Sequence, residues 1–482
     1  MDPFTLGVAS GEPGPDAVVI WTRLAPNPLA DDGFGGMPAR ALEVEWEVAA
    51  DESLSRIEQR GFTTAAAEFG HSVHVELAGL RPARDYFYRF RVDGHLSPVG
   101  RTRTAPEPGS LAAPLTMCFV SCSNFEHGWF TAYRRLAEEQ PDLVLHLGDY
   151  QYEYAAGVYT ADSASVRAHV GPEARTLANY RQRYAQYKTD PDLQAAHAAA
   201  PWLVVFDDHE VDDNWADEVP STPQPGFLAR RAAALQAYYE NMPLRRASMP
   251  HDIHMQLYRR VHWGTLATFH MLDTRQYRDD QLCGEKVSAC RERTDPARSL
   301  TGAEQERWLL DGFQRSRATW DLVGQQVFFS QRDLAPGPDR AFNPDAWDGY
   351  AANRDRIVAG LVNSPVRNGV MLTGDVHSHW AAEVRENFDD PSSRQVATEF
   401  VTTSISSGGD GSDTRDDIEV VLTKNPHIRY FSNRRGYVRT RIAHGELRAD
   451  FRVLPYVSHP DAPAYTGATF VLTDRASALD AV

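Results

Sequence analysis

The chain has 482 residues, with 49 Lys and Arg against 66 Asp and Glu and a formal net charge of −17, and it shows no basic stripe, which argues against nucleic acid as a partner. Its length leaves room for two or more domains with a large core, and its apolar, charged and aromatic shares of 42%, 24% and 10% are those of an ordinary globular protein. No apolar run approaches the ~20 residues of a transmembrane helix, and Met1-Asp2-Pro3-Phe4-Thr5 has neither the basic nor the apolar region of a signal peptide.

Residues 1–107 read as all-β and are expected to form an N-terminal domain. Over residues 41–48, Leu42, Val44, Trp46 and Val48 take one face while Glu43, Glu45 and Glu47 take the other. Val73, Val75 and Leu77 repeat the period of two, as do Tyr86, Tyr88, Phe90 and Val92 opposite Arg89 and Arg91. Turn residues at Gly11-Glu12-Pro13-Gly14, Arg81-Pro82 and Asp93-Gly94 separate these runs, which predicts a small antiparallel sandwich. No cluster of catalytic residue types stands out within it, so its expected role is structural, as a lid or a docking module. Residues 104–110, rich in Pro and Gly, read as a linker.

The second domain, residues 108–482, alternates strands with helices and so predicts layered α/β architecture. Helices are expected over 126–140, with Phe130, Tyr133, Leu136 and Ala137 on one face, over 173–200 and over 229–241. Another opens at Thr301, where Glu304 completes a capping-box pattern. Strands are expected over 266–272, 326–329, 370–372 and 399–405, and a closing hairpin over 437–442 and 447–453.

Four apolar runs end in chemistry-bearing loops. Residues 117–120 lead into Ser121-Cys122-Ser123-Asn124, and 143–147 lead through Gly148 into Asp149-Tyr150-Gln151-Tyr152. Residues 202–206 lead into Asp207-Asp208-His209-Glu210, followed by Asp212-Asp213-Asn214, and 370–372 lead into Thr373-Gly374-Asp375-Val376-His377. Strand ends of this kind are where α/β proteins build their sites, and Cys, Asp, Tyr, His and Asn converging there predict a metal centre. Asp149 is the leading ligand, since a carboxylate at a sheet edge can bridge two cations. Tyr152, three residues on, brings a phenol to the same place, with Tyr150 and Tyr154 as competitors. A phenolate suits a hard, strongly acidic ion such as Fe(III), whereas the oxygen-rich 207–214 segment suits Ca2+ or Mg2+ better than zinc. His209, flanked by carboxylates, is a candidate proton donor or phosphate ligand.

Of the four cysteines, Cys283 and Cys290, with six residues between them in a polar loop, are expected to form a local disulfide, with two free thiols as the alternative. Cys118 reads as a small core residue and Cys122 as a ligand.

Together these motifs, with Phe4-Thr5-Leu6-Gly7-Val8-Ala9-Ser10-Gly11, Val19-Ile20-Trp21-Thr22-Arg23 and Arg435-Gly436-Tyr437, make the chain resemble the alkaline phosphatase D family of calcineurin-like metallophosphoesterases nearly from end to end. The resemblance implies a fibronectin-like N-terminal sandwich, a two-sheet α/β/β/α catalytic domain and an Fe(III)–Ca2+ centre. It implies that Cys122, Asp149, Tyr152 and His377 bind iron, that Asp149 bridges to calcium, and that Asp208, Asn214 and Asp375 complete the calcium ligands, with Asp212 or Asp213 as alternatives to Asn214. His209 matches the family's catalytic histidine. The implied reaction is hydrolysis of phosphomonoesters or phosphodiesters, with a phospholipase D-type headgroup cleavage as the alternative. Export, secreted or periplasmic and in this family usually by a twin-arginine leader, and a monomeric state are the matching expectations. Arg275, Arg434 and Arg435 are candidates for holding the phosphate.

Two other readings fit less well. A calcium-stabilised binding module has no use for a thiol and a phenol at strand ends. A zinc hydrolase would be expected to show His-Glu-x-x-His, which the chain does not contain.

Overall fold

The computed structural model describes residues 1–161, 164–476 and 479–482. Among these, two large sheets of ten and seven strands carry the loops of interest, and a third of five strands lies in the N-terminal region.

Three parallel neighbours form the middle of the ten-stranded sheet: Leu115–Val120, Leu143–Leu147 and Pro201–Val205. Nearly every residue in them is buried, which is why they read as continuous apolar runs rather than as alternations. Parallel neighbours need crossovers, supplied by the helix Thr131–Glu138 and then by Leu177–Lys188 and Pro191–Ala199. The C-terminal strands Arg435–Ile442, Glu446–Leu454 and Tyr465–Thr473 extend the sheet antiparallel on one side.

On the other side the sheet continues into the N-terminal region. Val8–Gly11 pairs in parallel with Pro201–Val205, and Val18–Arg23 and Ser72–Leu77 follow antiparallel. The alternating strand Leu42–Ala49 pairs instead with Ile57–Ala65 and Asp85–Val92 in the five-stranded sheet. Val44, Val48, Tyr88 and Phe90 of that sheet share one apolar core with Val8, Val18, Ile20 and Val73. A sandwich is therefore present, and one of its two layers is the end of the large sheet.

In the seven-stranded sheet, Ala267–Met271, Trp320–Gly324, Gly369–Thr373 and Gln395–Val401 run parallel. Alternate side chains divide its two faces. Leu322, Val370 and Leu372 join Leu145, Leu147 and Phe451 in a core between the two large sheets. Val323 and Met371 face outward onto Leu309 and Phe313 of helix Gly302–Gln314 and onto Ile357 and Leu361 of helix Ala351–Val362. Helices on the outside of two facing sheets give the α/β/β/α layering that the resemblance implies.

Three local expectations change. Residues 326–329 form no strand: the strand is Trp320–Gly324, and the apolar run beyond it is a buried loop. Its backbone groups are met outside any ladder: Gln326 O accepts from Gly374 N–H, Phe328 O from Trp347 N–H, and the Glu399 carboxylate from Phe329 and Ser330 N–H. The capping box at Thr301 does not form; Thr301 makes no side-chain cap bond, and its hydroxyl faces Asn353. The helix expected from 126 starts only at Thr131, because the Glu126 carboxylate is taken by the N–H groups of Gly157 and His169.

Candidate metal centre

Both large sheets deliver loops to one place from the C-terminal ends of parallel strands. Cys122 and Asp149 follow Leu115–Val120 and Leu143–Leu147, and Asp208 follows Pro201–Val205. Asp375 and His377 arrive from the facing sheet after Gly369–Thr373. The backbone at four of these positions, and at Asn214, is left-handed: φ is 61° at Cys122, 54° at Asp149, 64° at Asp375, 53° at His377 and 51° at Asn214. Side-chain-bearing residues adopt this region rarely and at a cost, and they concentrate where a site demands it. Gly148 is required for a different reason, since with φ of 105° a Cβ there would lie 2.5 Å from that of Asp207.

Two groups of donor atoms result. Cys122, Asp149 and His377 offer ligand atoms within 4.8 Å of one another, and so do Asp149, Asp208 and His209. Asp149 belongs to both. Tyr152 places its hydroxyl 3.0 Å from Asp149 Oδ2 and 3.2 Å from His377 Nε2, while Tyr150 turns its own to His197, 2.8 Å away. Asp375 lies outside these two groups but is close enough to Asp207 and Asp208 for their charges to raise its pKa. Asn214 donates its N–H to Asp208 Oδ2 at 2.8 Å. Of its alternatives, Asp212 is paired with Arg230 at 2.8 Å, whereas Asp213 meets no such partner among the described residues.

The electrostatics call for a cation. Burial raises the carboxyl groups of Asp149 and Asp375 well above the usual range, and neighbouring carboxylates push them further. Burial, reinforced by Asp149, likewise raises the Cys122 thiol and the Tyr152 phenol. Asp149 Oδ1 and Asp207 Oδ2 are buried without a hydrogen-bond partner. Burial and the Arg435 charge hold His377 down to about 3, leaving a neutral imidazole of the kind that ligates metals. A bound cation reverses each carboxyl, thiol and phenol shift, so the donor set fits a pair of cations that share Asp149.

Around this set lie residues whose roles the sequence did not disclose. Glu153 sets Oε2 2.9 Å from His209 Nδ1 and accepts from Asp213 N–H with its other oxygen. Burial works against protonation of His209, but Asp208, Glu153 and Asp149 outweigh it and hold the pKa well above its ordinary value. The imidazole also stacks on Tyr152 at 4.2 Å. Glu210 ties two loops together by accepting from the N–H groups of Asp149, Tyr150 and Asp207. Acidic residues directly after Tyr152 and His209 were the only signal of these roles.

The three phosphate-binding candidates are otherwise engaged. Arg275 is fully buried, 2.6 Å from Asp207 and bidentate to Asp345 at 2.8 and 2.9 Å. Arg434 pairs with Asp413. Arg435 is buried and donates to the carbonyls of His377 and Ser407 and to Ser404 Oγ, so it braces the His377 loop. Cys283 and Cys290 are joined as a disulfide, which removes them as metal ligands, and Cys118 is a buried core thiol.

Comparison with known proteins covers nearly the whole chain. The family model described as PhoD-like phosphatase matches residues 117–451, and that of its N-terminal domain matches residues 1–106. Alkaline phosphatase D of Bacillus subtilis (strain 168) is 48% identical over 473 residues, 97% of this chain and 80% of that protein. A solved structure of PhoD superposes with a TM-score of 0.97 at 47% identity, covering 100% of this chain and 92% of that one.

Proposed function

The chain belongs to the PhoD-like phosphatase family, and on that footing we propose that it hydrolyses phosphomonoesters, phosphodiesters or both at a centre of Fe(III) and Ca2+. It is a phosphoric ester hydrolase and metal-dependent. Cys122, Asp149, Tyr152 and His377 would hold the iron, a thiolate and a phenolate suiting a strongly acidic ion. Asp149 would be shared with calcium, whose further ligands are Asp208, Asn214 and Asp375. When bound, the cations supply positive charge to the phosphoryl oxygens and lower the pKa of water at the phosphorus.

The protein's own contribution is to hold and move a proton. Glu153 accepts at Nδ1 of His209, which leaves Nε2 to donate to the oxygen of the departing alcohol. The stack on Tyr152 fixes the plane of the ring. All of these groups come from one chain, so a monomer suffices. The Cys283–Cys290 disulfide supports an oxidising compartment outside the cytoplasm.

The observation that carries this reading is the single carboxylate common to both donor groups, with one oxygen buried and unpartnered. Metal analysis with a visible spectrum tests it. Iron with calcium, and a charge-transfer band lost in Tyr152→Phe or Cys122→Ala, is the expected result. Asp149→Ala is expected to lose both metals and all activity, and Cys122→Ala to lose iron more than calcium. A metal-replete Asp149→Ala protein that still turns over would overturn the bridging role. Turnover of choline phospholipid against a soluble aryl phosphate separates a headgroup-cleaving enzyme from a general phosphatase.

A further inference from the structure

Most deeply buried arginines of this protein are matched with acids. Arg181, Arg230, Arg275, Arg278 and Arg354 each lie 2.6–2.8 Å from a carboxylate oxygen. Arg332 is different. It is 8% exposed, yet its guanidinium meets no carboxylate at ion-pair distance and makes no hydrogen bond among the described residues; only its backbone N–H is bonded, to Asp348 at 2.8 Å.

The guanidinium is held by aromatic faces instead. Its carbon lies 4.3 Å from the centre of the Phe328 ring and 5.2 Å from that of Trp380. Such faces orient a cation while leaving its N–H donors unspent. The same rings adjoin the loop that carries Asp375 and His377. Trp380 donates its indole N–H to Ser378 Oγ at 2.9 Å, one residue from His377, and Val376 packs into the apolar cluster that contains Phe328 and Trp380. The Asp348, Asp375 and Glu399 carboxylates attract Arg332, none of them at ion-pair distance, and the guanidinium of Arg415 repels it. Burial lowers its pKa, so the charge is carried against its surroundings. With no carboxylate in contact with it, the guanidinium keeps its N–H donors unspent in the free protein, and an incoming phosphate, which guanidinium binds well, takes them up.

We propose that Arg332 binds the substrate phosphoryl group, donating to an oxygen that is not transferred to the alcohol, and that it thereby favours dianionic phosphomonoesters over monoanionic phosphodiesters. This rests on the reading that the Asp375–His377 rim faces the reacting phosphorus. It also supplies the phosphate-binding arginine that Arg275, Arg434 and Arg435 are not free to be.

The experiment compares metal-replete wild type with Arg332→Met and Arg332→Lys on an aryl phosphomonoester, a bis-aryl phosphodiester and inorganic phosphate as inhibitor. Arg332→Met is expected to weaken inhibition by inorganic phosphate tenfold or more and to raise KM for the monoester more than for the diester. Arg332→Lys should recover part of both. Arg332→Gln, which keeps a polar edge without charge, replaces the Met variant if that fails to fold. Unchanged phosphate inhibition, or an equal loss on both esters as a packing defect would give, overturns the proposal. A wild type that cleaves neither ester overturns the underlying functional reading, whereas an active wild type with unaltered inhibition in the variants removes only the role of Arg332.

Discussion

Glu153 and His209 are 56 residues apart in the chain and share a hydrogen bond, and that pairing sets a pH dependence. Replacing Glu153 with Gln removes a negative charge that stabilises protonated His209, so the imidazole pKa falls. With His209 donating a proton, the alkaline limb of the kcat–pH profile should move to lower pH and turnover at its optimum should drop roughly 10–100-fold. A profile that keeps its position while activity falls would deny Glu153 this part. The candidate ligands were legible because each sits directly after an apolar strand, a local pattern. Glu153, Glu210 and Arg332 were not, because their meaning lies in which distant group they meet: a neighbouring acid looks the same in sequence whether it orients an imidazole or faces solvent.

At the scale of elements, Gly148 decides how closely two strand ends approach. Its left-handed backbone and the 2.5 Å that would separate a new Cβ from Asp207 mean that Gly148→Ala forces the 148–152 and 207–210 loops apart. The expected cost is about 2–4 kcal/mol in urea unfolding, accompanied by loss of metal; an unaltered midpoint would show that the loops give way freely. Period and composition were sufficient for the parallel strands Leu115–Val120, Leu143–Leu147 and Pro201–Val205 and for the hairpin Arg435–Ile442 and Glu446–Leu454, but they did not disclose Trp320–Gly324. They misled at 326–329, where an apolar stretch lies buried without strand pairing because the N–H groups of Gly374 and Trp347 and the Glu399 carboxylate take its hydrogen bonds. Apolarity reports burial, and a loop whose polar groups are met outside a ladder can be as buried as a strand.

Across the whole molecule, burial leaves several imidazoles neutral: His74 is held to about 4, His146 to about 3 and His427 to about 4, in each case chiefly by desolvation. Between 6.5 and these values the unfolded chain binds protons that the folded one does not, so their contribution to stability is complete above pH 6.5 and is lost as the pH falls. His169, held to about 2, His379, held to about 3, and His197, held well below its ordinary value, add to the trend, while Glu210, raised by burial to about 8, and Asp207, Asp212 and Asp213, each raised to about 6, oppose it with fewer protons. An acid titration followed by tryptophan fluorescence should therefore show stability declining from pH 6.5 towards 4; a flat profile there would mean that these histidines are protonated in the native state. The layered α/β class could be read from the alternation of elements, but the join between the sandwich and the large sheet could not. It depends on Val8–Gly11 lying beside Pro201–Val205, a parallel pairing with no local signal.

That pairing also has a consequence during synthesis. Val8–Gly11 cannot meet its parallel partner until roughly 190 more residues have emerged, about 10–40 s at translation rates of about 5–20 residues per second. Until then the nascent chain carries an unpaired strand edge. That edge waits for the strand that leads directly into Asp207 and Asp208, so this part of the centre cannot form before the closure, and Asp375 and His377 join it only after the facing sheet has been made.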